Sequence, residues 1–316
     1  MCCLYTQNKI YINHHRAESL YGSTALVTIY HHLGDNKFRE IQTCYQKATK
    51  HTENTEIMET SKNTLNLDEV EKFGKLSAEW WSPSSPLRSL HAMNSIRVPY
   101  IASTLDSSRD GKKRRILDIG CGGGFLSEGL AEHFHTLGWS DDAIEIVGLE
   151  PNSNLVQIAR AHLPKHLEGK VTYLVDTIEN YVTQNSNPNF DTVVMSEVIE
   201  HVDNPQEFLK YAISAAKSGG SIYLSTPGKS VFSWMTLILL MEHVLQIFPV
   251  GTHHYEKLVD LKDTLRMFRE NNCEIREVRG CFYNPLLNVW HWNDSFKPVA
   301  YAVHALKSNS VEKLNP

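Results

Sequence analysis

Short β-branched runs alternate with longer helical patterns through most of this chain, and this alternation constrains the fold more than any other feature. The predicted strands of the alternating region are RRILDIG, AIEIVGLE, VTYLVD, FDTVVMS and SIYLST. The predicted helices are LDEVEKFGKLSAEWW, LRSLHAMNSIRVPYIASTL, GGGFLSEGLAEHF, PNSNLVQIARAHL and PQEFLKYAISAAK, the last ended by Gly219–Gly220. Such alternation predicts βαβ units in a doubly wound, mostly parallel α/β sheet. EIREVRGCFYN and KPVAYAVHALK have no helical pattern between them, so we expect seven strands ending in an antiparallel pair.

The 316 residues divide into three predicted segments. Residues 1–67 show no sustained period and carry more Lys and Arg than acids in their first fifty positions, which is typical of a mitochondrial transit segment. A disordered leader, or an extension upstream of a start at Met58, would have the same composition. Residues 68–306 carry the regular alternation and are the predicted α/β domain, and residues 307–316 form a polar tail.

Composition excludes several classes of protein. The net charge of −5 and the pI near 6.3 argue against binding nucleic acid. Six cysteines without a CxxC pair favour a reducing compartment over a disulfide framework. The sequence lacks an uncharged apolar run of about 18 residues, so we expect no transmembrane helix.

A glycine-rich loop, ILDIGCGGGFL, joins the first strand of the alternating region to its helix. Glycines allow a sharp turn and a close ligand, and the following helix start offers outward N–H groups. The dinucleotide pattern G-x-G-x-x-G needs a third glycine where Phe125 stands, so dinucleotide binding is disfavoured. A carboxylate ending the next strand, Glu150, can accept hydrogen bonds from ribose hydroxyls. The alternatives are a tight turn without a ligand and a surface glutamate.

Two acids and a histidine follow the strand FDTVVMS in the segment SEVIEHV. If this segment is helical, Glu197, Glu200 and His201 share one face at a strand's carboxyl end. They are candidates for a metal site or for acid–base chemistry.

LDIGCGGG, the acid after the second strand and SEVIEHV resemble class I S-adenosylmethionine (SAM)-dependent methyltransferases, which have a Rossmann-like fold. Four further blocks resemble the ubiquinone-biosynthesis O-methyltransferase family, its mitochondrial form in particular. They are AEWWSPSSPLRSLHAMNSIRVPYI, STPGKSVFSWM, FPVGTHHYEKLV and GCFYNPLLNVWHW. The resemblance covers residues 70–306 and combines blocks that are uncommon together.

The resemblance implies a set of site residues. Those for the methyl donor SAM are Arg97, Gly120, Glu150 and Ser196. Bacterial members often have Asp and Met at the last two of these positions. For Arg97, a solvated helix residue is the alternative. Those for a divalent metal, usually magnesium, are Glu197, Glu200 and His201. Carboxylates suit a hard cation, whereas histidine equally suits manganese or zinc. The alternative is a histidine that lines the acceptor pocket, where His201 could act as a general base.

The implied acceptors are polyprenylated catechol-like rings: a 3,4-dihydroxy-5-polyprenylbenzoate and a demethylubiquinol. An apolar insert at residues 229–256 suggests peripheral contact with a membrane, although a buried lid helix or a partner interface would have a similar composition. The resemblance also implies a place on the matrix side of the mitochondrial inner membrane, in a complex with other ubiquinone-biosynthesis proteins. His254, in the GTHHYEK block, has no assigned role.

Two other functions remain open at the level of the sequence. One is a methyltransferase of the same fold with another small-molecule acceptor, and the other is a non-catalytic scaffold. The intact glycine loop and the SEVIEHV segment argue against the scaffold.

Overall fold

The computed structural model describes residues 4–6, 9–11, 64–85, 87–105, 112–185, 189–234 and 255–308. The chain divides into two compact units, Met1–Met58 and Glu59–Pro316. In the first unit, β1 (Leu4–Thr6) and β2 (Lys9–Tyr11) pair antiparallel, with Leu4 opposite Tyr11.

The second unit contains an eight-stranded sheet in the order β5-β4-β3-β6-β7-β10-β8-β9. Its strands are β3 (Arg114–Ile119), β4 (Ile144–Glu150), β5 (Val171–Val175), β6 (Phe190–Ser196), β7 (Ala216–Pro227), β8 (Cys273–Asn284), β9 (Val289–Trp292) and β10 (Ala300–Lys307). The strands β3 to β7 pair in parallel, whereas β10 pairs antiparallel with both β7 and β8. The predicted mostly parallel sheet with a terminal antiparallel pair is confirmed.

Seven labelled helices accompany the sheet. They are α1 (Leu67–Lys75), α2 (Arg88–Thr104), α3 (Phe125–Thr136), α4 (Ser153–His162), α5 (Ile178–Gln184), α6 (Pro205–Ala215) and α7 (Leu261–Glu270). A helical turn at Val231–Ser233 and five 3₁₀ turns complete the described elements: Ser77–Glu79, Asp141–Ala143, Lys165–Leu167, Ile199–His201 and Tyr255–Lys257. Asparagine side chains cap the amino ends of α1, α4 and α6, which explains where these helices begin.

The core lies on both faces of the sheet because successive strand residues point to opposite sides. Leu117 and Val193 pack with α5, α6 and α7 on one face. Their neighbours Ile116 and Val194 pack with α2, α3 and α4 on the other. The result is a three-layer arrangement that leaves the strands' carboxyl ends available for a site.

Two details differ from the prediction. Strand β9 was not predicted; it pairs with β8, with Cys281 opposite Trp292, and raises the strand number from seven to eight. The helix α6 ends at Ala215, and β7 then runs through Gly219 and Gly220, with Gly219 at a φ of 72°. The glycines therefore lie within the strand instead of ending the helix.

Most of the apolar insert, residues 235–254, lies outside the described residues, and so do His253 and His254. Among the described helices, none combines the length and apolar character needed to cross a bilayer.

Candidate active site

The carboxyl ends of β3, β4 and β6 meet around a cavity of about 310 Å³. This is the edge at which open α/β sheets bind ligands. The structure brings every predicted site residue to the wall of this cavity. They are Arg97, Gly120, Glu150, Ser196, Glu197, Glu200 and His201. These residues therefore lie around one cavity, while the role of each residue stays a prediction.

The glycine loop turns tightly between β3 and α3. Gly120, Gly122 and Gly124 have φ values of 69°, 54° and 93°, which L side chains rarely adopt. The indole of Trp80 lies against the loop, because a Cβ added to Gly122 would come within 2.4 Å of it. Both steric and backbone requirements therefore call for glycine at position 122.

Glu150 ends β4 as predicted and is 8% exposed. Its carboxylate accepts hydrogen bonds from the backbone N–H of Gly122 (3.1 Å) and of Asn152 (2.9 Å). Burial raises the pKa of Glu150 to about 7, against the lowering effect of these hydrogen bonds. The acid is thus fixed beside the glycine loop and can accept further hydrogen bonds from a ligand.

Arg97 lies on α2 and is 4% exposed. Its guanidinium donates to three neutral acceptors: Asn94 Oδ1 (2.8 Å), Ser196 Oγ (2.9 Å) and the carbonyl of Leu90 (3.2 Å). These hydrogen-bond partners are neutral, the charges of Asp118 and Glu197 also act on the guanidinium, and a buried cation of this kind can pair with an anionic ligand. The solvated-helix alternative for Arg97 is therefore wrong.

A chain of hydroxyl groups connects this cation to the first acid. Ser225 Oγ donates to Glu197 Oε1 (2.8 Å), so the 2.8 Å contact between the two serine hydroxyls is donated by Ser196. Hydrogen bonds therefore run in one direction from Arg97 through Ser196 and Ser225 to Glu197. The residues predicted to bind SAM and the acidic segment therefore belong to one network.

The acidic segment is not the helix that the spacing predicts. Glu197 has a φ of 59°, and its N–H donates to the carbonyl of Ser225 on β7 at 2.9 Å. Only Ile199–His201 forms a helical turn, of the 3₁₀ type. The prediction of a common helical face is wrong because pairing with β7 holds Glu197 outside the helical conformation.

Glu200 is 4% exposed and accepts a hydrogen bond from Thr226 Oγ1 at 2.8 Å. Burial raises the pKa of Glu200 well above its usual value, and the charge of Glu197 raises it further. Glu200 therefore holds its proton more tightly than a solvent-exposed glutamate does.

His201 lies between two acids. Its Nδ1 is 3.1 Å from Glu69 Oε2, and its Nε2 is 3.8 Å from Glu200 Oε1. Burial opposes ionisation of Glu69, but hydrogen bonds and charges from His201, Lys257 and Lys72 outweigh it and lower the pKa of Glu69 to about 2. Glu69 is therefore ionised at neutral pH.

The described residues contain no group of three or more His, Cys, Asp or Glu side chains arranged to hold a metal ion. The metal role of Glu197, Glu200 and His201 stays a prediction.

Sequence reasoning missed several residues of the site. Trp80 Nε1 and Ser89 Oγ line the cavity and are buried without a hydrogen-bond partner among the described residues. Buried polar groups usually have partners, so both are suited to a ligand. The sequence carries a signal for Trp80, since this residue belongs to the WW block. It carries none for Glu69, which looks in the sequence like an ordinary surface residue of a helix.

Comparisons with known proteins agree with this geometry. A family model described as a methyltransferase domain matches residues 93–278, more than half of the chain. The mitochondrial ubiquinone biosynthesis O-methyltransferase of Dictyostelium discoideum is 35% identical over 76% of this chain and 77% of its own length. The ubiquinone biosynthesis O-methyltransferase of Alkalilimnicola ehrlichii is 31% identical over 78% of this chain and 94% of its own length.

Among solved structures, the SAM-dependent methyltransferase of Thermotoga maritima superposes with a TM-score of 0.50. The superposition covers 77% of this chain and 100% of the Thermotoga protein at 17% identity, so this likeness shows the fold alone. The family model and the curated relatives confirm the resemblance stated from the sequence, and the chain belongs to the ubiquinone biosynthesis O-methyltransferases, which are SAM-dependent enzymes.

Proposed function

We propose that this chain methylates a phenolic hydroxyl of a polyprenylated catechol-like intermediate of ubiquinone biosynthesis. The acceptor would be a 3,4-dihydroxy-5-polyprenylbenzoate, a demethylubiquinol or both. The observation that carries the proposal is the single cavity, whose wall includes Gly120 and Glu150 on one part and Glu197, Glu200 and His201 on another. The names of the relatives support the pathway.

The donor part of the cavity suits SAM. Glu150 would accept the ribose hydroxyls, and Gly120 would allow the close approach of the nucleoside. Arg97 is a buried cation with neutral partners and would pair with the carboxylate of the methionine group. Trp80 and Ser89 would supply hydrogen bonds from their unpaired polar atoms.

Bound SAM supplies an electrophilic methyl group on a positively charged sulfur. In the proposed reaction, His201 accepts the phenolic proton at a ring nitrogen. The phenolate oxygen forms the new bond to the methyl carbon while the carbon–sulfur bond breaks. The electron pair of that bond stays on sulfur, so the products are the methyl ether and neutral S-adenosylhomocysteine. The cavity wall contributes alignment of the two reactants.

As the alternative to proton transfer at His201, we propose that Glu197, Glu200 and His201 hold a divalent cation, magnesium in the first instance, which would occupy the lone pair of His201. Burial raises the pKa of Glu200, and the charges of Glu197 and Glu69 raise it further, so a cation beside these acids would stabilise the ionised carboxyl. Such an ion would stabilise a phenolate.

We propose a mitochondrial site of action, which the mitochondrial names of several relatives support. We further propose that the chain acts on the matrix side of the inner membrane. Peripheral membrane contact through residues 229–256 and association with other ubiquinone-biosynthesis proteins belong to the same proposal. Liposome flotation of the wild type against Trp234→Asp and Leu239→Asp tests the membrane contact. Equal flotation of all three proteins would exclude it.

The predicted division at residue 67 needs one adjustment. Thr64 is buried, its carbonyl accepts the Asp203 N–H at 2.9 Å, and Leu65 and Asn66 line the cavity. We therefore propose that any transit segment ends before Thr64.

The central test is a methyl-transfer assay with SAM and both acceptors carrying short prenyl tails, read by mass spectrometry. We expect one added methyl group, strong loss of turnover in Glu197→Ala and Glu200→Ala, and sensitivity to EDTA. Glu207→Ala is the matched control, because Glu207 is a half-buried acid of α6 that pairs with Lys210 at 3.4 Å. Transfer to an unrelated phenol alone would reject the substrate proposal, and full activity of both variants in EDTA would reject the metal.

A further inference from the structure

The helix α1 holds the ring of His201 with two residues that lie four positions apart. Glu69 Oε2 is 3.1 Å from Nδ1, and the ring of Phe73 meets the imidazole edge-on at a centroid distance of 4.9 Å. Residues four apart share one face of a helix. One face of α1 therefore contacts both an atom and an edge of the imidazole.

Glu69 is itself fixed on several sides. It is 6% exposed, its Oε1 accepts a hydrogen bond from Lys257 Nζ at 3.1 Å, and Lys72 Nζ lies 3.6 Å from Oε2. Lys257 comes from the GTHHYEK block, far along the chain. Cations on both oxygens keep the carboxylate in place beside the ring.

The helix is anchored at its amino end and along its length. Asn66 Nδ2 donates to Asp203 Oδ1 at 2.5 Å, close to the acidic segment. Asn152 Nδ2, at the start of α4, donates to the carbonyl of Val70 at 2.9 Å. These contacts join α1 to the elements that carry the site, so Glu69 has little freedom to leave His201.

The direction of the Glu69–His201 hydrogen bond follows from the chemistry. Glu69 pairs with Lys257 at 3.1 Å and with Lys72 at 3.6 Å, and a carboxylate held by two lysines only accepts hydrogen bonds, so Nδ1 must carry the hydrogen. The neutral imidazole then has its lone pair on Nε2, the nitrogen that lies 3.8 Å from Glu200 Oε1. A lone pair on this nitrogen is required for accepting a proton and for binding a metal ion alike.

We propose that Glu69 is a positioning residue that holds His201 in the tautomer and orientation in which Nε2 serves the reaction. This inference rests on the proposed function for the identity of the reaction. It assigns a role to a helix residue outside the methyltransferase motifs.

The test compares Glu69→Ala and Glu69→Gln with the wild type. Glutamine keeps an oxygen acceptor for Nδ1, whereas alanine removes it. Glu71→Ala is the matched control because Glu71 lies on the same helix, is exposed and pairs with Lys75 of that helix at 2.8 Å.

The first readout is NMR of protein labelled with ¹⁵N-histidine, with His201→Gln used to assign the resonance. We expect the Nδ1–H tautomer in the wild type, in Glu71→Ala and in Glu69→Gln, and loss of that tautomer in Glu69→Ala. The second readout is kinetic: kcat should fall roughly 10- to 100-fold in Glu69→Ala and less in Glu69→Gln, with KM for SAM unchanged.

An unchanged tautomer and unchanged kcat in Glu69→Ala would overturn the proposal. An equal fall of kcat in Glu71→Ala, with KM for SAM unchanged, would overturn the proposal as well, because it would indicate a general effect on the helix. If the wild type fails to methylate either acceptor, the proposed function fails, but the NMR comparison still decides whether Glu69 positions His201.

Discussion

The pH dependence of SAM binding tests the role of Glu150 directly. Burial raises the pKa of this acid from 4.5 to about 7 in the ligand-free protein. Ribose hydroxyls donate hydrogen bonds, and a carboxylate accepts them better than a protonated carboxyl does. Binding should therefore strengthen as the pH rises through the pKa of Glu150.

The magnitude follows from the ionised fraction. With a pKa of about 7, roughly a quarter of the Glu150 side chains are ionised at about pH 6.5 and nearly all at about pH 8.5, which predicts about a fourfold gain in affinity. Isothermal titration calorimetry with SAM at several pH values measures it. The same shift has the opposite effect on folding. Because the folded state holds the proton more tightly, the free energy of unfolding should fall as the pH rises from about 4.5 to about 7.

Glu150→Gln should weaken SAM binding and remove this pH dependence, since the amide does not ionise. The glutamine NH₂ group is a donor and cannot replace the carboxylate oxygen that accepts from Gly122 or from Asn152, so one of these two backbone N–H groups loses its partner. Glu145→Gln is the matched control, because Glu145 lies on the same strand but pairs with Arg115, with 28% of its side chain exposed. Affinity that stays flat with pH in the wild type, or an equal slope in Glu150→Gln, would refute the reasoning.

Three other substitutions test the site and the core. Trp80→Phe removes an indole N–H that has no hydrogen-bond partner among the described residues and should weaken SAM binding about tenfold, whereas Trp139→Phe should not; equal affinities would exclude Trp80 as a ligand contact. Gly122→Ala should abolish SAM binding, while Gly138→Ala, with a similar positive φ but open space around it, should cost only stability; calorimetry on both distinguishes collision from backbone strain. Leu130→Ala should lower the free energy of unfolding by about 2–5 kcal/mol in urea titration, and a cost below about 1 kcal/mol would contradict close packing there.

Local patterns in the sequence were sufficient for most of the fold. The strand and helix periods identify seven of the eight sheet strands, because a buried strand and an amphipathic helix each need a characteristic repeat. Strand β9 was not predicted, because VWHW is only four residues long and none of its residues is fully buried. Short, half-exposed strands carry little periodic signal.

The acidic segment shows where local pattern fails. Spacing alone predicts a helix for SEVIEHV, yet Glu197 has a positive φ. A hydrogen bond from its N–H to Ser225, 28 residues away, helps hold that conformation. Local periodicity carries no information about such a partner.

The sequence by itself determined which residue types stand at the strand ends: the glycine loop after β3, Glu150 at the end of β4, and the acids and histidine after β6. Tertiary structure alone decided what those residues touch. Arg97 meets Ser196 across 99 positions of the chain, and Glu69 meets His201 across 132. A strand end is encoded by its neighbours in sequence, but a contact between distant helices and loops depends on how the whole core packs, so Glu69 is indistinguishable from a surface acid until the chain has folded.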